Sequence, residues 1–166
     1  MIKQRLVKAS PRFYLVDSTN RSAGYQVLWY HPAGQGSTRR PAAVKIDILL
    51  PGVTELLEFD PSRIEYCRQL PIAPLSLVLL HKLQGWFIRS HSQERHQYEK
   101  HWKDIFDVAR LLPIAVKGGA KTTDPALSSI LVEKAGEWVH QFIIQYPEFH
   151  TARHWRKIGF STTSGV

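Results

Sequence analysis

Four ionisable side chains have types and spacing suited to handling a charged ligand: Asp47, Lys82, Asp104 and Asp107. Asp47 is the one carboxylate in the run Val44-Lys45-Ile46-Asp47-Ile48-Leu49-Leu50. The β-branched residues favour a strand. Two-residue alternation sends Lys45, Asp47 and Leu49 to one face and Ile46, Ile48 and Leu50 to the other, toward a core. An ionised Asp in a buried strand is costly unless a cation, a metal or hydrogen-bond donors meet it, which makes Asp47 a candidate metal ligand. A sheet whose polar face meets water gives the same pattern.

Lys82 stands out for its neighbours. Leu75, Val78, Leu79, Lys82 and Trp86 fall at offsets 0, 3, 4, 7 and 11, one apolar stripe of a helix. A Lys on that stripe either snorkels outward, the usual outcome, or points into a polar pocket that must hold an anion. The segment His101-Trp102-Lys103-Asp104-Ile105-Phe106-Asp107-Val108 offers candidates for that anion. Trp102, Ile105, Phe106 and Ala109 make its expected apolar face, with Asp104 at the border. Asp107 lies one turn beyond Lys103 and can pair with it. Carboxylates in the first turns of a helix also suit its positive dipole end, so both have a purely structural explanation as well.

Other constellations are weaker. His91, His96 and His101 are five residues apart, which turns each about 140° from the last on a helix and gives them no common face. Gly34-Gln35-Gly36-Ser37-Thr38 lacks the Lys-Ser/Thr ending and following helix of a phosphate loop, and reads as a connection between strands. His150, Arg153, His154, Arg156 and Lys157, with Trp155, offer a basic, aromatic patch for nucleic acid. A solvated terminal helix explains the same residues.

These side chains need elements to hold them, and the chain changes character near residue 70. Before it come strand signals at Arg12 to Val16, Tyr25 to Tyr30 and Val44 to Leu50, and a short one at Ile64 to Tyr66. A polar turn joins the first two, and His31 to Pro41 makes a longer loop. After residue 70 the signals are helical. Pro74 opens a helix that runs to about Ser90, Trp102 to Pro113 makes a second, and Asp124-Pro125 starts a third that ends near Tyr146. Glu148 to Lys157 suits a short helix. The expected fold is α+β: a small, mostly antiparallel sheet of three to four strands in residues 1–70, a helical half in 71–160, and a frayed tail in 161–166.

Composition sets outer limits. At 166 residues the chain suits one domain, or one domain with a helical appendage. Lys and Arg outnumber Asp and Glu by 22 to 14, a net charge of +8 that favours anionic partners. The single cysteine, Cys67, fits a reducing compartment. Met1 to Pro11 has no signal-peptide core. The longest apolar segment, Ile72 to Leu80, is interrupted by Pro74 and Ser76 and falls far short of the roughly 20 residues that span a bilayer. The expectation is an intracellular protein, cytoplasmic or nuclear, with no membrane partner.

One series of segments carries a family resemblance. It runs from Tyr25-Gln26-Val27-Leu28-Trp29-Tyr30 to Val44-Lys45-Ile46-Asp47-Ile48-Leu49-Leu50-Pro51-Gly52. Leu70-Pro71-Ile72-Ala73-Pro74-Leu75, Leu79-Leu80-His81-Lys82-Leu83-Gln84-Gly85-Trp86 and Lys103-Asp104-Ile105-Phe106-Asp107-Val108 follow. The order resembles uncharacterised fungal proteins of the nucleotidyltransferase superfamily, related to the AbiEii-type toxins, over residues 12–116. The resemblance implies a small mixed sheet flanked by helices, with carboxylates that bind Mg²⁺ and align an NTP with an acceptor hydroxyl. It makes Asp47 the later of the family's metal-binding carboxylates and Lys82 the contact to the triphosphate. Asp104 and Asp107 match the two acids of the family's Lys/Arg-Asp-x-x-Asp helix, with Asp104 expected to orient Lys82. The family's Asp-x-Asp strand, with a Gly-Ser turn leading into it, has no counterpart here, so the chain looks like the rear part of such a domain. The expected function is weak binding of NTP and Mg²⁺ with little or no transfer by this chain alone. The alternative is a non-catalytic basic module that binds RNA or a protein partner.

Overall fold

Phe13–Asp17 (β1), Gln26–Tyr30 (β2) and Val44–Ile46 (β3) form an antiparallel sheet in the order β1-β2-β3. The computed structural model describes residues 2–19, 24–32, 43–48 and 60–162. The register sets Leu15 opposite Leu28 and Leu28 opposite Ile46, one apolar row across the sheet. Leu28 at its centre is fully buried. Phe13 and Tyr30, also opposite each other, stack with ring centroids 4.9 Å apart, a favoured cross-strand pair. Ahead of the sheet lies a helix that the apolar pattern does not announce, α1 (Ile2–Ala9), packed against β1.

The third strand is shorter than its composition suggests. Pairing with β2 ends at Ile46, while Ile48 stays half-buried and Asp47 faces solvent. Leu49, Leu50, Pro51 and Gly52 lie outside the described residues, as do most of the expected His31–Pro41 loop, the Gly34–Thr38 segment and the end of the tail.

The chain divides into two compact units, Met1–Leu50 and Pro51–Val166. The described part of the second begins with a one-turn 3-10 helix at Pro61–Arg63, capped by Asp60, whose carboxylate accepts from the Ser62 amide at 2.9 Å. A hairpin of Glu65–Cys67 (β4) and Leu70–Ile72 (β5) follows. The expected fourth strand is therefore present, and it has a partner that Pro71 hid from the strand pattern. Proline cannot donate to a ladder, but an edge strand tolerates it.

Five described helices make up the rest: α2 (Leu75–Ser90), α3 (Arg95–Tyr98), α4 (His101–Lys117), α5 (Ser129–Gln145) and α6 (Ala152–Ile158). The fold is thus a mixed α and β arrangement with two small antiparallel sheets and a helical C-terminal half. Leu79, Leu83 and Trp86 of α2 meet Ile105, Val108 and Leu112 of α4, Leu131, Val139 and Phe142 of α5, and Trp155 of α6 in one core. Each such side chain contributes roughly 1.5–3 kcal/mol by leaving water. Trp86 is the hub. Phe142 meets its ring edge to face at 5.0 Å, and its indole N–H donates to the Tyr146 hydroxyl at 3.4 Å.

Two helix boundaries differ from expectation. Pro113 does not stop α4, which continues to Lys117. Buried Leu112 and Ala115 hold the helix on either side, and Gly118 and Gly119 end it in a Schellman arrangement. There the Ala120 amide donates to Ala115 O at 2.9 Å and Gly119, with φ +79°, donates to Val116 O. Asp124 does not cap α5, because its carboxylate already accepts from the Ala126 amide and the Ser76 hydroxyl. Ser128 is the cap, accepting from the Leu131 amide at 3.2 Å.

Candidate functional site

Helices α2 and α4 pack along each other, and two ion pairs cross between them. Lys82 Nζ donates to Asp107 Oδ2 at 2.8 Å. One turn earlier on α4, Asp104 Oδ2 accepts from Arg89 Nη1. Lys82 and Arg89 are seven residues apart and share a face, and Asp104 and Asp107 are three apart on adjacent turns. The early cation meets the late carboxylate, so the helices run antiparallel. The result is a two-rung ladder of charge.

Lys82 does not lie within the buried stripe of α2. That stripe is centred on Ser76, Leu79, Leu80, Leu83 and Trp86, and Lys82 stands at its edge with its side chain 43% exposed. Its partner is Asp107, where Asp104 was expected. The face of α4 is rotated as well. Ile105, Val108, Leu112 and the carboxylate of Asp104 face the core, while Trp102 and Phe106 are exposed. Asp104 was expected at the border and is instead buried against Arg89. Sequence reasoning passed over Arg89, although its seven-residue spacing from Lys82 was the available signal.

Electrostatics follow from these contacts. The hydrogen bond from Lys82 holds the Asp107 carboxyl below the usual carboxylate range; partial burial works against it, and the charges of Lys82, Lys103 and Arg110 reinforce it. Next to Lys82, burial pushes the His81 imidazole below its ordinary range, and contact with Gln84 raises it by a smaller amount. His81 Nδ1 lies 3.2 Å from Gln84 Oε1, and its Nε2 is buried with no hydrogen-bond partner.

Asp47 stands in the first unit, exposed, with Lys45 Nζ 3.0 Å from its carboxylate. The polar face of its strand simply meets water. Magnesium, which the family resemblance implies, does not fit this donor set. A lone carboxylate already paired with a Lys offers too few oxygens for a hard cation. Among the described residues no three His, Cys, Asp or Glu side chains gather to hold a metal.

No protein family, curated protein or solved structure that was compared matches the chain.

The remaining candidates are dispersed. His91 Nδ1 lies 2.8 Å from Phe87 O, His96 faces Glu94, and His101 is buried against Tyr98 O, so the three share no centre. Trp155 is fully buried and offers no ring to a ligand. Arg153, Arg156 and Lys157 are exposed around it on α6, which leaves a basic surface without its stacking residue. An open hollow of about 580 Å³ beside the start of α5, lined by Thr122, Asp124, Ser129 and Glu133 among others, includes none of the candidate residues. No helix among the described residues is long and apolar enough to cross a membrane.

Proposed function

We propose that the chain is a nucleotidyltransferase-like domain that engages the phosphates of an NTP at Lys82 and performs little or no transfer by itself. The observation that carries this reading is the Lys82–Asp107 pair. An ammonium held at 2.8 Å by a carboxylate, yet 43% exposed along its side chain, is fixed in direction and still open to a second anion. Within the ladder two cations and two carboxylates cancel, and Lys103 and Arg110 beside Asp107 leave a local positive surplus. A phosphate joining Lys82 gains the charge-assisted bond that a carboxylate gains there. Asp104 supports the arrangement through Arg89 and does not touch Lys82 directly. The segment order from Tyr25 to Val108 supports the same reading by resemblance.

Titration of Mg-ATP and Mg-CTP into the wild type and Lys82→Ala tests the proposal. Saturable binding by the wild type that weakens several-fold in the variant is expected. Equal affinity for both proteins, or no binding by either, overturns it.

A second reading, a non-catalytic basic module for RNA, draws on the exposure of Arg153, Arg156 and Lys157 on one short helix. It requires salt-dependent RNA binding that survives Asp47→Asn and is lost when those three are neutralised.

A further inference from the structure

Helix α4 has two apolar faces, and only one of them is buried. Ile105, Val108, Leu112 and Ala115 form the inward face, each fully buried. Trp102, Phe106, Ala109 and Pro113 follow one another at spacings of four, three and four, the pattern of a helix–helix seam. Along this seam Trp102 is 54% exposed and Phe106 48%, while the exposed Ile114 lies on the far side of Lys103, Arg110 and Lys117. Single exposed apolar residues are ordinary, but an aligned set with two aromatic rings marks an interaction surface. Phe149 meets Phe106 edge to face at 5.8 Å, and Tyr146 stands beside Trp102 at 6.4 Å, so the apolar surface extends past the helix itself.

Charge along the flank selects the occupant. Lys103, Arg110 and Lys117 recur every seven residues beside the seam, about 10.5 Å apart along the axis, and all three are exposed. Asp107, the carboxylate beside Lys103 and Arg110 on the same helix, is already held by Lys82. A second copy of this chain would set these cations against their own counterparts, which is unfavourable. A single strand of RNA would stack on Trp102 and Phe106 and use the same cations, but Ala109 and Pro113 continue the seam with neither a ring nor a hydrogen-bonding side chain for its next bases. A helix with apolar residues on one stripe and acids on its flanks satisfies both features at once.

We propose that the outward face of α4 docks an acidic amphipathic helix of a partner protein, with Trp102 and Phe106 as its apolar anchors and Lys103, Arg110 and Lys117 as its charge pairs. The probe is a labelled three-heptad peptide with Leu at the seam positions and Glu at the flanking ones, followed by fluorescence anisotropy. Saturable binding is expected that weakens at least about tenfold in Trp102→Ala or Phe106→Glu. It should fall similarly in the double variant Lys103→Glu/Arg110→Glu and as salt is raised. These positions are exposed, and an unchanged thermal melt confirms that each variant folds. Failure of the peptide to bind, or equal binding by the variants, overturns the proposal. So does binding of an oligouridylate, and not the peptide, that the same substitutions abolish. A wild-type dimer in sedimentation that Phe106→Glu dissociates would assign the seam to a second copy instead.

Discussion

Arg89 reaches from α2 to Asp104 on α4, and the two ends of the pair differ in burial: the Asp104 side chain is 7% exposed and that of Arg89 is 36%. Removing the guanidinium therefore strands a carboxylate that has almost no water. We expect Arg89→Met to cost about 3 kcal/mol. The other rung is wetter, and Lys82→Met should cost no more than about 1 kcal/mol. Urea unfolding compares the two. Replacing both members of the buried pair, Arg89→Met with Asp104→Leu, should recover much of the loss, since no charge is then left without a partner. Equal costs for the two single variants would show that burial does not govern the ladder.

The ladder and its neighbour His81 also set how stability responds to acid. Burial lowers the His81 pKa in the folded state, so the unfolded chain takes up a proton first as pH falls below the ordinary imidazole value of about 6.5. Stability should fall across that window, down to the folded pKa. Asp107 acts lower on the scale. Its depressed pKa contributes stability that is present above the ordinary carboxylate value and is lost as pH falls through the folded one. Unfolding midpoints recorded from about pH 7 to about pH 3 separate the two. His81→Gln should flatten the upper part of the curve and Lys82→Ala the lower part.

Gly159 ends α6 with φ +119°, and a Cβ built there would lie 2.5 Å from Thr122 Oγ1. An L side chain meets both a strained backbone and a clash at this position. Gly159→Ala should cost about 1–2 kcal/mol from the backbone alone, with the clash in addition. Adding Thr122→Ala should return the clash portion and leave the backbone portion. Thermal melts of the three proteins check this, and a double variant no better than Gly159→Ala would place the whole cost in the backbone.

The elements were easier to read from the sequence than their orientation. Strands β1, β2 and β3 and helix α2 announce themselves through local composition, and the polar face of Asp47's strand is as wet as alternation allows. The face of α4 was misread because the helix is apolar on both sides. Trp102 and Phe106 present as much apolar surface as Val108 and Leu112, and only packing against α2 shows which side turns inward. The pairing of Lys82 was hidden for a related reason. Asp104 and Asp107 are equally plausible partners along the chain, and the antiparallel crossing of two helices decides between them. Pro113 and Asp124 carried strong local signals that tertiary contacts overrode, through the Schellman ending of α4 and the Ser76–Asp124 bond.

Pro113 has no amide proton, so the carbonyl of Ala109 lacks the helical donor that every neighbouring turn supplies. The break falls beyond both carboxylates of the ladder. Ala115 nevertheless keeps the last turn, Ile114 to Lys117, in the core, and the Ala120 and Gly119 amides close it on the Ala115 and Val116 carbonyls. Tertiary packing on Leu112 and Ala115 thus carries the helix past a bond its own ladder lacks, one turn beyond the carboxylates that meet Lys82 and Arg89.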